Sequence, residues 1–395
     1  MKVTIFPACN GDSFLLETEA SVVLIDGGYV DTYKKNIKPK LLKLKDDGKE
    51  LHVIVTHIDN DHISGINKFI EENKANEFIN VDFFWHNSFN QIKDIKDALA
   101  FKGKPISELS INYILKEEEV NTSDKNISAV QGSTLASLLK KYNYNWNTLF
   151  ENNLVSIDSN EQINTGDITF KILSPNNEKL SELKKYWKKE LYKRGFSSDE
   201  NLTDFNEDAF EYILSLEKEK KRLAKKDVSS SSDINIEDLI KENFIEDDTA
   251  TNGSAIAFII ENKDFKFLFL ADSHPSIIVK NLKKHYKEEE FPIKFDLIKI
   301  AHHGSKSNTS PELLKLIDSE KYIFSTNGLI HNHPDKETIA RIISRPVEFT
   351  RNLYFNYSLE AIKGFKNEAL MKKYNFKIIE SLDDKLIEIN FPENE

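Results

Sequence analysis

The amino-acid sequence predicts a domain in which β-strands and α-helices alternate, with a functional site at one edge of a sheet. Two observations carry this prediction. Short apolar runs bounded by turn residues recur along the 395 residues, and stretches with helical spacing separate several of them. Clusters of histidine and aspartate follow these runs directly, and the densest is His57-Ile58-Asp59-Asn60-Asp61-His62. We therefore expect the strands to be a rigid scaffold whose ends present polar side chains into a cleft.

The N-terminal part of the chain has the clearest pattern. Three short strands are predicted first, because turn residues at Asn10-Gly11-Asp12 and Asp26-Gly27-Gly28 separate the apolar runs. A lysine-rich helix, a buried strand, a second helix and another strand follow. The predicted strands cover residues 3–6, 13–17, 22–25, 51–55 and 81–85, and the predicted helices cover residues 35–47 and 63–73.

The middle of the chain departs from this alternation at two insertions. Residues 90–150 are predicted to be helical, and a strand follows at 169–173. Residues 178–247 are rich in Lys and Glu and contain the linker-like tract Ser229-Ser230-Ser231-Ser232, so we expect a helical insertion with a flexible middle. Its basic runs could bind a phosphate backbone, but a solvated helix face is the favoured interpretation. Residues 1–395 are interpreted as one domain that carries both insertions.

Strong strand patterns return in the C-terminal part, and most of them run into a polar cluster. Asp272 and His274 follow one predicted strand, His302-His303-Gly304-Ser305 follows another, and Thr326-Asn327-Gly328 follows a third. A last strand or two is expected near the C-terminus. These predicted strands cover residues 255–260, 265–270, 295–300, 322–325 and part of 376–391.

Composition limits the classes of function. The formal net charge is −11, whereas a general nucleic-acid binder is more often basic, so a phosphate substrate would have to be attracted locally. The single cysteine, Cys9, excludes an internal disulfide and a cysteine-based zinc site within one chain. No window approaches the roughly 18 apolar residues of a membrane span, and the first residues lack the apolar core of a secretory signal. We expect a soluble, cytoplasmic protein with no membrane contact.

The histidine pairs at strand ends predict a metal site. His57 with His62, His302 with His303, and Asp272 follow separate predicted strands. Burying such groups without partners costs several kcal/mol, and a metal ion compensates this cost because carboxylates and neutral imidazoles become its ligands.

Seven motifs in one order resemble the metallo-β-lactamase fold superfamily. Thr56 to His62 looks like its H-x-[HD]-x-D-H signature, and the version with aspartate at the third place is similar to the hydrolase domain of the ComEC competence proteins. The other matching segments are Asn10-Gly11-Asp12-Ser13, Ile25-Asp26-Gly27-Gly28, Asn252-Gly253-Ser254, Leu270-Ala271-Asp272, His302-His303-Gly304-Ser305 and His331-Asn332-His333-Pro334.

This resemblance implies an α+β fold, a four-layer αββα sandwich with helical insertions, and a dinuclear site at one edge of its sheets. His57 and Asp59 would bind one ion, and Asp61, His62 and His303 the other. Asp272 would bridge the two ions.

Two departures from the family pattern stand out. A further histidine, expected about twenty residues before the bridging aspartate, is absent; Asn252 and Ser254 stand there, so the first site lacks a ligand or uses Asn252. An oxygen-richer site favours Mn²⁺, with Zn²⁺ or Mg²⁺ as alternatives. Ala271 also replaces a usual glycine.

Two metal ions suit hydrolysis of a phosphodiester, and the ComEC-like group is associated with degradation of DNA strands. The predicted function is therefore a metal-dependent phosphodiesterase, with a nuclease that acts on DNA as the favoured form. Asp59 or Asp61 would hold the attacking water. His302 and His333 are candidates for holding a non-bridging oxygen or protonating the leaving group, and orienting other side chains is about equally expected of them.

Other interpretations stay open. The same fold could hydrolyse small nucleotides or esters, or serve as a regulatory scaffold in a multi-protein system whose partner binds the 178–247 insertion. His86 could be a ligand of the first ion, but a buried structural histidine is the favoured interpretation. His274 is expected to cap a helix, and Asp26 to orient ligands.

Overall fold

The computed structural model describes residues 1–45, 48–92, 135–193, 234–330 and 332–391. Most of the described strands belong to two sheets. In chain order the strands are β1 (Lys2–Ile5), β2 (Phe14–Glu17), β3 (Ser21–Ile25), β4 (Glu50–Ile54), β5 (Val81–Trp85), β6 (Gln162–Thr165), β7 (Ile168–Ser174), β8 (Ala257–Glu261), β9 (Lys266–Phe269), β10 (Ile293–Phe295), β11 (Leu297–Lys299), β12 (Ile317–Ser319), β13 (Lys321–Phe324), β14 (Arg351–Phe355), β15 (Phe376–Glu380) and β16 (Ile387–Asn390).

The two sheets face each other across an apolar layer. One sheet has the strand order β16-β1-β2-β3-β4-β5, and the other has the order β15-β14-β13-β11-β9-β8-β7-β6. Phe14, Trp85, Phe170 and Phe269 are among the buried side chains between them. The short pair β10 and β12 runs beside the second sheet.

Helices cover the outer faces of both sheets. In chain order the described α-helices are α1 (Val30–Thr32), α2 (Lys38–Leu44), α3 (Asn60–Asn76), α4 (Phe89–Ile92), α5 (Leu135–Lys141), α6 (Asn177–Lys193), α7 (Ile236–Leu239), α8 (Ala250–Gly253), α9 (Pro275–His285), α10 (Pro311–Leu316), α11 (Lys336–Ile343) and α12 (Glu368–Lys373). Helices α2, α3 and α5 pack on the first sheet, and α9, α10 and α11 pack on the second. The layers therefore follow the order helix, sheet, sheet, helix, which confirms the predicted αββα sandwich.

Most sequence predictions of individual elements are confirmed, with two informative differences. The strand predicted at 295–300 is split, because both the backbone and the carboxylate of Asp296 bond to the backbone of Lys266. Helix α3 begins before its predicted start at residue 63, so Asp61 and His62 lie in its first turn. Ser310 caps α10 by accepting a hydrogen bond from Leu313, as expected for a serine before a proline at the first helical position.

Only parts of the two predicted insertions belong to the described residues. Helices α4 and α5 lie in the first insertion, and α6 and α7 lie in the second. The remainder of both predictions, including the tract Ser229-Ser230-Ser231-Ser232, lies outside the described residues. None of the described helices is long and apolar enough to cross a membrane.

Candidate metal centre

Loops at one edge of the sandwich bring together side chains that are far apart in sequence. His57 follows β4, Asp272 follows β9, and His303 follows β11. Parallel pairing of β9 with β11, and of β3 with β4, places the ends of these strands at the same edge. The ligand assignments that the resemblance implies therefore concern residues that meet in space.

The first motif places two side chains beside Asp272. The Nε2 atom of His57 lies 3.4 Å from Oδ2 of Asp59 and 3.6 Å from Oδ2 of Asp272. The Nδ1 atom of His57 is 3.0 Å from Oγ1 of Thr56. That hydroxyl donates its own proton to Asp26, so it accepts the hydrogen bond from the imidazole, and Nε2 keeps its lone pair.

The start of helix α3 positions the other half of the motif. Asp59 is the N-cap residue, and both Asp61 and His62 are buried in the first turn. Oδ2 of Asp61 accepts a hydrogen bond of 2.5 Å from Nδ2 of Asn10. The Nδ1 atom of His62 lies 2.8 Å from Oδ2 of Asp26. A carboxylate on one imidazole nitrogen directs the other nitrogen toward a metal, which is the orienting role expected of Asp26.

The HHGS segment completes the cluster from the second sheet. The Nε2 atom of His303 lies 3.9 Å from Oδ2 of Asp272, and its Nδ1 bonds to the carbonyl oxygen of Ser325 at 2.7 Å. Ala271 adopts a left-handed backbone conformation with φ +46°, which explains why a glycine is usual at this position. Its carbonyl oxygen accepts hydrogen bonds from Nζ of Lys299 and from the backbone of His302.

These side chains fit divalent cations. Among the described atoms, Nε2 of His57, Nε2 of His62 and Oδ1 of Asp272 are buried and have no hydrogen-bond partner. His57, His62 and Asp272 each offer one ligand atom within 4.8 Å of the others. Asp61, His62 and His303 likewise each offer one ligand atom within 4.8 Å of the others. Buried polar atoms without partners are costly, and a cation bound by these nitrogens and oxygens would remove that cost.

The electrostatics of the metal-free chain point in the same direction. Burial opposes ionisation of Asp272, but the histidines around it and Lys299 hold its pKa well below its usual range. Burial disfavours a charged His62, but its contact with Asp26 outweighs this and raises its pKa to about 10. The proton on His62 thus supplies positive charge that a bound cation would otherwise supply, and metal binding would displace it.

A buried lysine lies behind the cluster. Nζ of Lys299 forms an ion pair with Oδ2 of Asp12 and lies 4.0 Å from Oδ1 of Asp272. Burial opposes ionisation of Asp12, but Lys299 and His303 hold its pKa below its usual range. Sequence reasoning placed Asp12 within a matching motif without a role at the site, and it missed Lys299. A lysine within an otherwise apolar strand gives a usable signal, because such a side chain needs a buried acidic partner.

The structure also brings His302 to this cluster. Its Nε2 atom lies 3.7 Å from Oδ2 of Asp272, and its Nδ1 lies 2.9 Å from Oδ1 of Asn308. The amide nitrogen of Asn252 is 3.3 Å from Nδ1 of His302 and donates to Asp247 at 2.6 Å. Sequence reasoning missed Asp247 and Asn308, because both lie outside the recognised motifs.

The remaining candidate histidines take different positions. His333 packs its ring 5.3 Å from that of His302, and its Nδ1 lies 3.6 Å from Oδ2 of Asp335. His86 is fully buried beside Trp146, and burial lowers its pKa to about 3. His274 is the N-cap residue of α9, where its side chain makes no capping hydrogen bond. The small cleft at the site is lined by Asn10, Asp61, Asp272, His302, His303, Thr326, Ile330 and His333.

Comparison with known proteins gives a match to one family model and matches to solved structures. Residues 6–84 match the family model of the metallo-beta-lactamase superfamily. Among solved structures, the metallo-beta-lactamase fold protein YhfI from Bacillus subtilis is similar over 98% of both chains, at 10% identity and a TM-score of 0.34. No curated protein matches the chain. The family-model match and the layer order together identify the metallo-β-lactamase fold, which suggests a metal-dependent hydrolase. The ComEC-like subgroup stays a prediction.

Proposed function

We propose that the protein is a metal-dependent phosphodiesterase with two divalent ions, and that a nuclease acting on DNA is its favoured form. The observation that carries the dinuclear proposal is the balance of buried charge. Five carboxylates at the site are buried, and when His62 is neutral as a metal ligand the ammonium group of Lys299 is the cation that pairs with them. Two divalent ions would neutralise the four negative charges that remain, and uncompensated buried charge is costly. The carboxylates are those of Asp12, Asp26, Asp59, Asp61 and Asp272.

We assign the ligands of each ion by the motif and by the contacts described above. His57 and Asp59 would hold the first ion, and Asp272 would bridge it to the second. Asp61, His62 and His303 would hold the second ion. Carboxylates are a large share of this donor set, which favours Mn²⁺, with Zn²⁺ or Mg²⁺ as alternatives.

Side chains of the chain itself would orient the reactants. When bound, the ions would lower the pKa of a shared water and stabilise charge on the phosphoryl oxygens. Asp59 and Asp61 are the candidates for holding the attacking water, because both border the cluster. We assign His333 to a substrate oxygen or the leaving group, because it lines the cleft beside His302. Asp335 would orient its imidazole.

The preference for DNA rests on the motif resemblance, and a cleavage screen tests it. Metal-free protein is reloaded with Mn²⁺, Mg²⁺ or Zn²⁺ and given single-stranded DNA, duplex DNA, RNA, bis(p-nitrophenyl) phosphate and p-nitrophenyl acetate. We expect DNA cleavage that falls at least about a hundredfold in Asp61→Ala and His62→Ala, because loss of a ligand exceeds the 10–100-fold effect of an outer contact. Asp167→Asn, at the β6–β7 turn, is the control and retains activity. Ester cleavage alone would refute the phosphodiesterase.

A small nucleotide or ester is the second candidate substrate, and one observation favours it. Lys306 follows the HHGS segment, yet its Nζ is paired with Glu337 at 2.5 Å and Glu242 at 3.0 Å. Because these carboxylates neutralise the lysine, it offers a long polyanion little attraction. Cleavage of a cyclic or mononucleotide, with intact DNA in the same assay, would favour this alternative.

We also propose that the 178–247 insertion contacts a protein partner or restricts access to the site. Its described C-terminal part supports this, because Asp247 ends the insertion and lies 3.8 Å from Nδ1 of His302. Deletion of residues 194–233 should then spare cleavage of bis(p-nitrophenyl) phosphate and change selectivity or complex formation. Unchanged behaviour in both assays would contradict the proposal.

A further inference from the structure

Three imidazole groups surround the carboxylate that would bridge the ions. Measured to Oδ2 of Asp272, the Nε2 atom of His57 lies at 3.6 Å, that of His302 at 3.7 Å and that of His303 at 3.9 Å. Ligands with metal bonds of about 2.0–2.2 Å lie about 3.0–3.5 Å from each other around one ion. His302 is thus as near to Asp272 as the two histidines that the motif assigns as ligands.

The other ring nitrogen of His302 is anchored in the way typical of a metal-binding histidine. Nδ1 of each of the three histidines assigned as ligands contacts an oxygen atom, and Nδ1 of His302 likewise contacts Oδ1 of Asn308 at 2.9 Å. The oxygen atoms in the other three cases belong to Thr56 for His57, Asp26 for His62 and Ser325 for His303.

The orientation of the Asn308 amide determines which nitrogen of His302 carries the proton. Nδ2 of Asn308 faces three oxygens: Oδ2 of Asp247 at 3.1 Å, and the carbonyls of Asp272 at 3.1 Å and Ser273 at 3.3 Å. A flipped amide would place its oxygen against these three acceptors, so Oδ1 must face the imidazole. Neutral His302 therefore donates from Nδ1 and presents the lone pair of Nε2 toward Asp272.

Asn252 cannot supply the nitrogen ligand that the missing histidine would provide. By the motif order it occupies the place of the missing histidine, and its side chain contacts the ring of His302. Its amide nitrogen donates to Asp247 and has no lone pair for a metal. The backbone also supports a functional role for His302. Its φ is +43° and that of His303 is +55°, and this left-handed conformation costs energy and concentrates at functional sites.

We propose that Nε2 of His302 is a ligand of the first ion, in place of the histidine that the sequence lacks, and that Asn308 and Asp247 are its positioning residues. This inference rests on the dinuclear site proposed above. It changes the coordination of the first ion from an oxygen-dominated set to one with two imidazoles, from His57 and His302. It also leaves His333 as the cleft histidine that contacts substrate.

Metal binding by the full-length, metal-free chain tests the proposal without any activity measurement. Zn²⁺ is titrated by calorimetry, and bound metal is counted after dialysis. We expect two ions in the wild type, and a loss of at least about a hundredfold in the affinity for one of them in His302→Ala, as in the reference variant His57→Ala. Asn308→Ala should weaken the same ion by 10–100-fold. His333→Ala is the matched control, a histidine of the same cleft whose loss should leave both affinities unchanged.

X-ray absorption of the zinc-loaded wild type gives a measurement that needs no substitution. With His302 as a ligand, four histidines serve two ions, so about two imidazoles per zinc are expected, against about one and a half without it. A count near one and a half, or wild-type affinities in folded His302→Ala or His302→Gln, would overturn the proposal and leave the dinuclear site intact. A wild type that binds no ion would overturn both. Two bound ions without phosphodiester cleavage would contradict only the proposed reaction.

Discussion

Substitution of Asp26 by asparagine should weaken metal binding without touching a ligand. Oδ1 of Asp26 accepts from the backbone N–H of Thr56 at 2.8 Å, and Oδ2 accepts from the Thr56 hydroxyl at 2.7 Å and from Nδ1 of His62 at 2.8 Å. In Asp26→Asn the amide oxygen must face the backbone N–H. The amide nitrogen then occupies the position of Oδ2 and donates toward His62.

The consequence is a change of tautomer. The metal-free ring of His62 carries a proton on each nitrogen, so to accept from the new amide Nδ1 must lose its proton, and the neutral ring keeps its proton on Nε2. Nε2 is the buried atom that is left without a hydrogen-bond partner and that we assign to the second ion. Binding of that ion must then restore the disfavoured tautomer. Loss of an outer contact of this kind costs about 10–100-fold in metal affinity, which corresponds to about 1.4–2.7 kcal/mol.

Calorimetric titration of the metal-free variant measures this loss. Nitrogen chemical shifts of the histidine rings report the tautomer in the same sample. We expect at least one of the two affinities to fall by 10–100-fold, because the Thr56 hydroxyl that positions His57 also loses its acceptor, and we expect His62 to carry its proton on Nε2. Asp167→Asn is the matched control, because Asp167 also accepts two hydroxyl hydrogen bonds, from Thr18 and Ser21, at the β6–β7 turn. A folded Asp26→Asn protein whose two affinities stay within twofold of wild type would refute the reasoning.

Three further changes act on neighbouring features. Lys299→Met removes the ammonium group that pairs with the buried Asp12 and leaves it beside the imidazole of His303. The free energy of unfolding, measured in urea, should therefore fall by about 3–5 kcal/mol, and a second substitution, Asp12→Asn, should restore much of it. In the metal-free chain the pKa of His62 is raised to about 10, so its contribution to stability is complete below pH 6.5 and is lost as the pH rises toward 10. The free energy of unfolding should therefore decline between pH 6.5 and 9 by up to about 1.4 kcal/mol per pH unit, and saturating Zn²⁺ should abolish this decline. Gly65→Ala would place a methyl carbon 2.0 Å from the carbonyl oxygen of Gly27, so α3 must shift and stability should fall by about 3 kcal/mol or more, measured as a lower Tm.

The controls for these changes separate specific from general effects. Gly364→Ala, where the new methyl would meet only the side chain of Ile234, should cost less than Gly65→Ala. An equal cost at both positions would contradict the packing argument. A pH slope that persists with saturating Zn²⁺ would show that His62 is not its source.

The strands could be predicted from the sequence because their residues are apolar on both faces. Residues Leu51 to Ile54 of β4 are buried between the opposing sheet and the outer helices, so an apolar run that contains one buried histidine, His52, marks the strand. The start of α3 could not be predicted from apolar spacing, because Asn60, Asp61 and His62 form its first turn. Those residues are polar because they serve the site, and a periodicity search excludes them for that reason.

The contacts between separate motifs could be predicted from the sequence only in part. Motif order indicated that His57 and His303 would meet, since the ends of neighbouring strands share one edge of a sheet. Nothing local in the sequence indicates that Asp247 and Asn308 meet at His302, because their contacts depend on the paths of two loops. A buried lysine such as Lys299 is different, since its position within an apolar strand already implies an acidic partner.

Asn252 shows why a missing ligand is not evidence of a missing site. Comparison of this sequence with the family motif is made position by position, so it finds no histidine at residue 252 and predicts an oxygen-richer first metal site. A metal ion responds only to donor atoms in space, and the structure places Nε2 of His302 3.7 Å from the bridging carboxylate. The two views predict different chemistry, because two imidazoles at the first ion increase its preference for Zn²⁺ relative to an oxygen-dominated set. If His302 is a ligand, the affinity of the first ion's site for Zn²⁺ relative to Mn²⁺ should drop in His302→Ala. If it only contacts substrate, that ratio should not change.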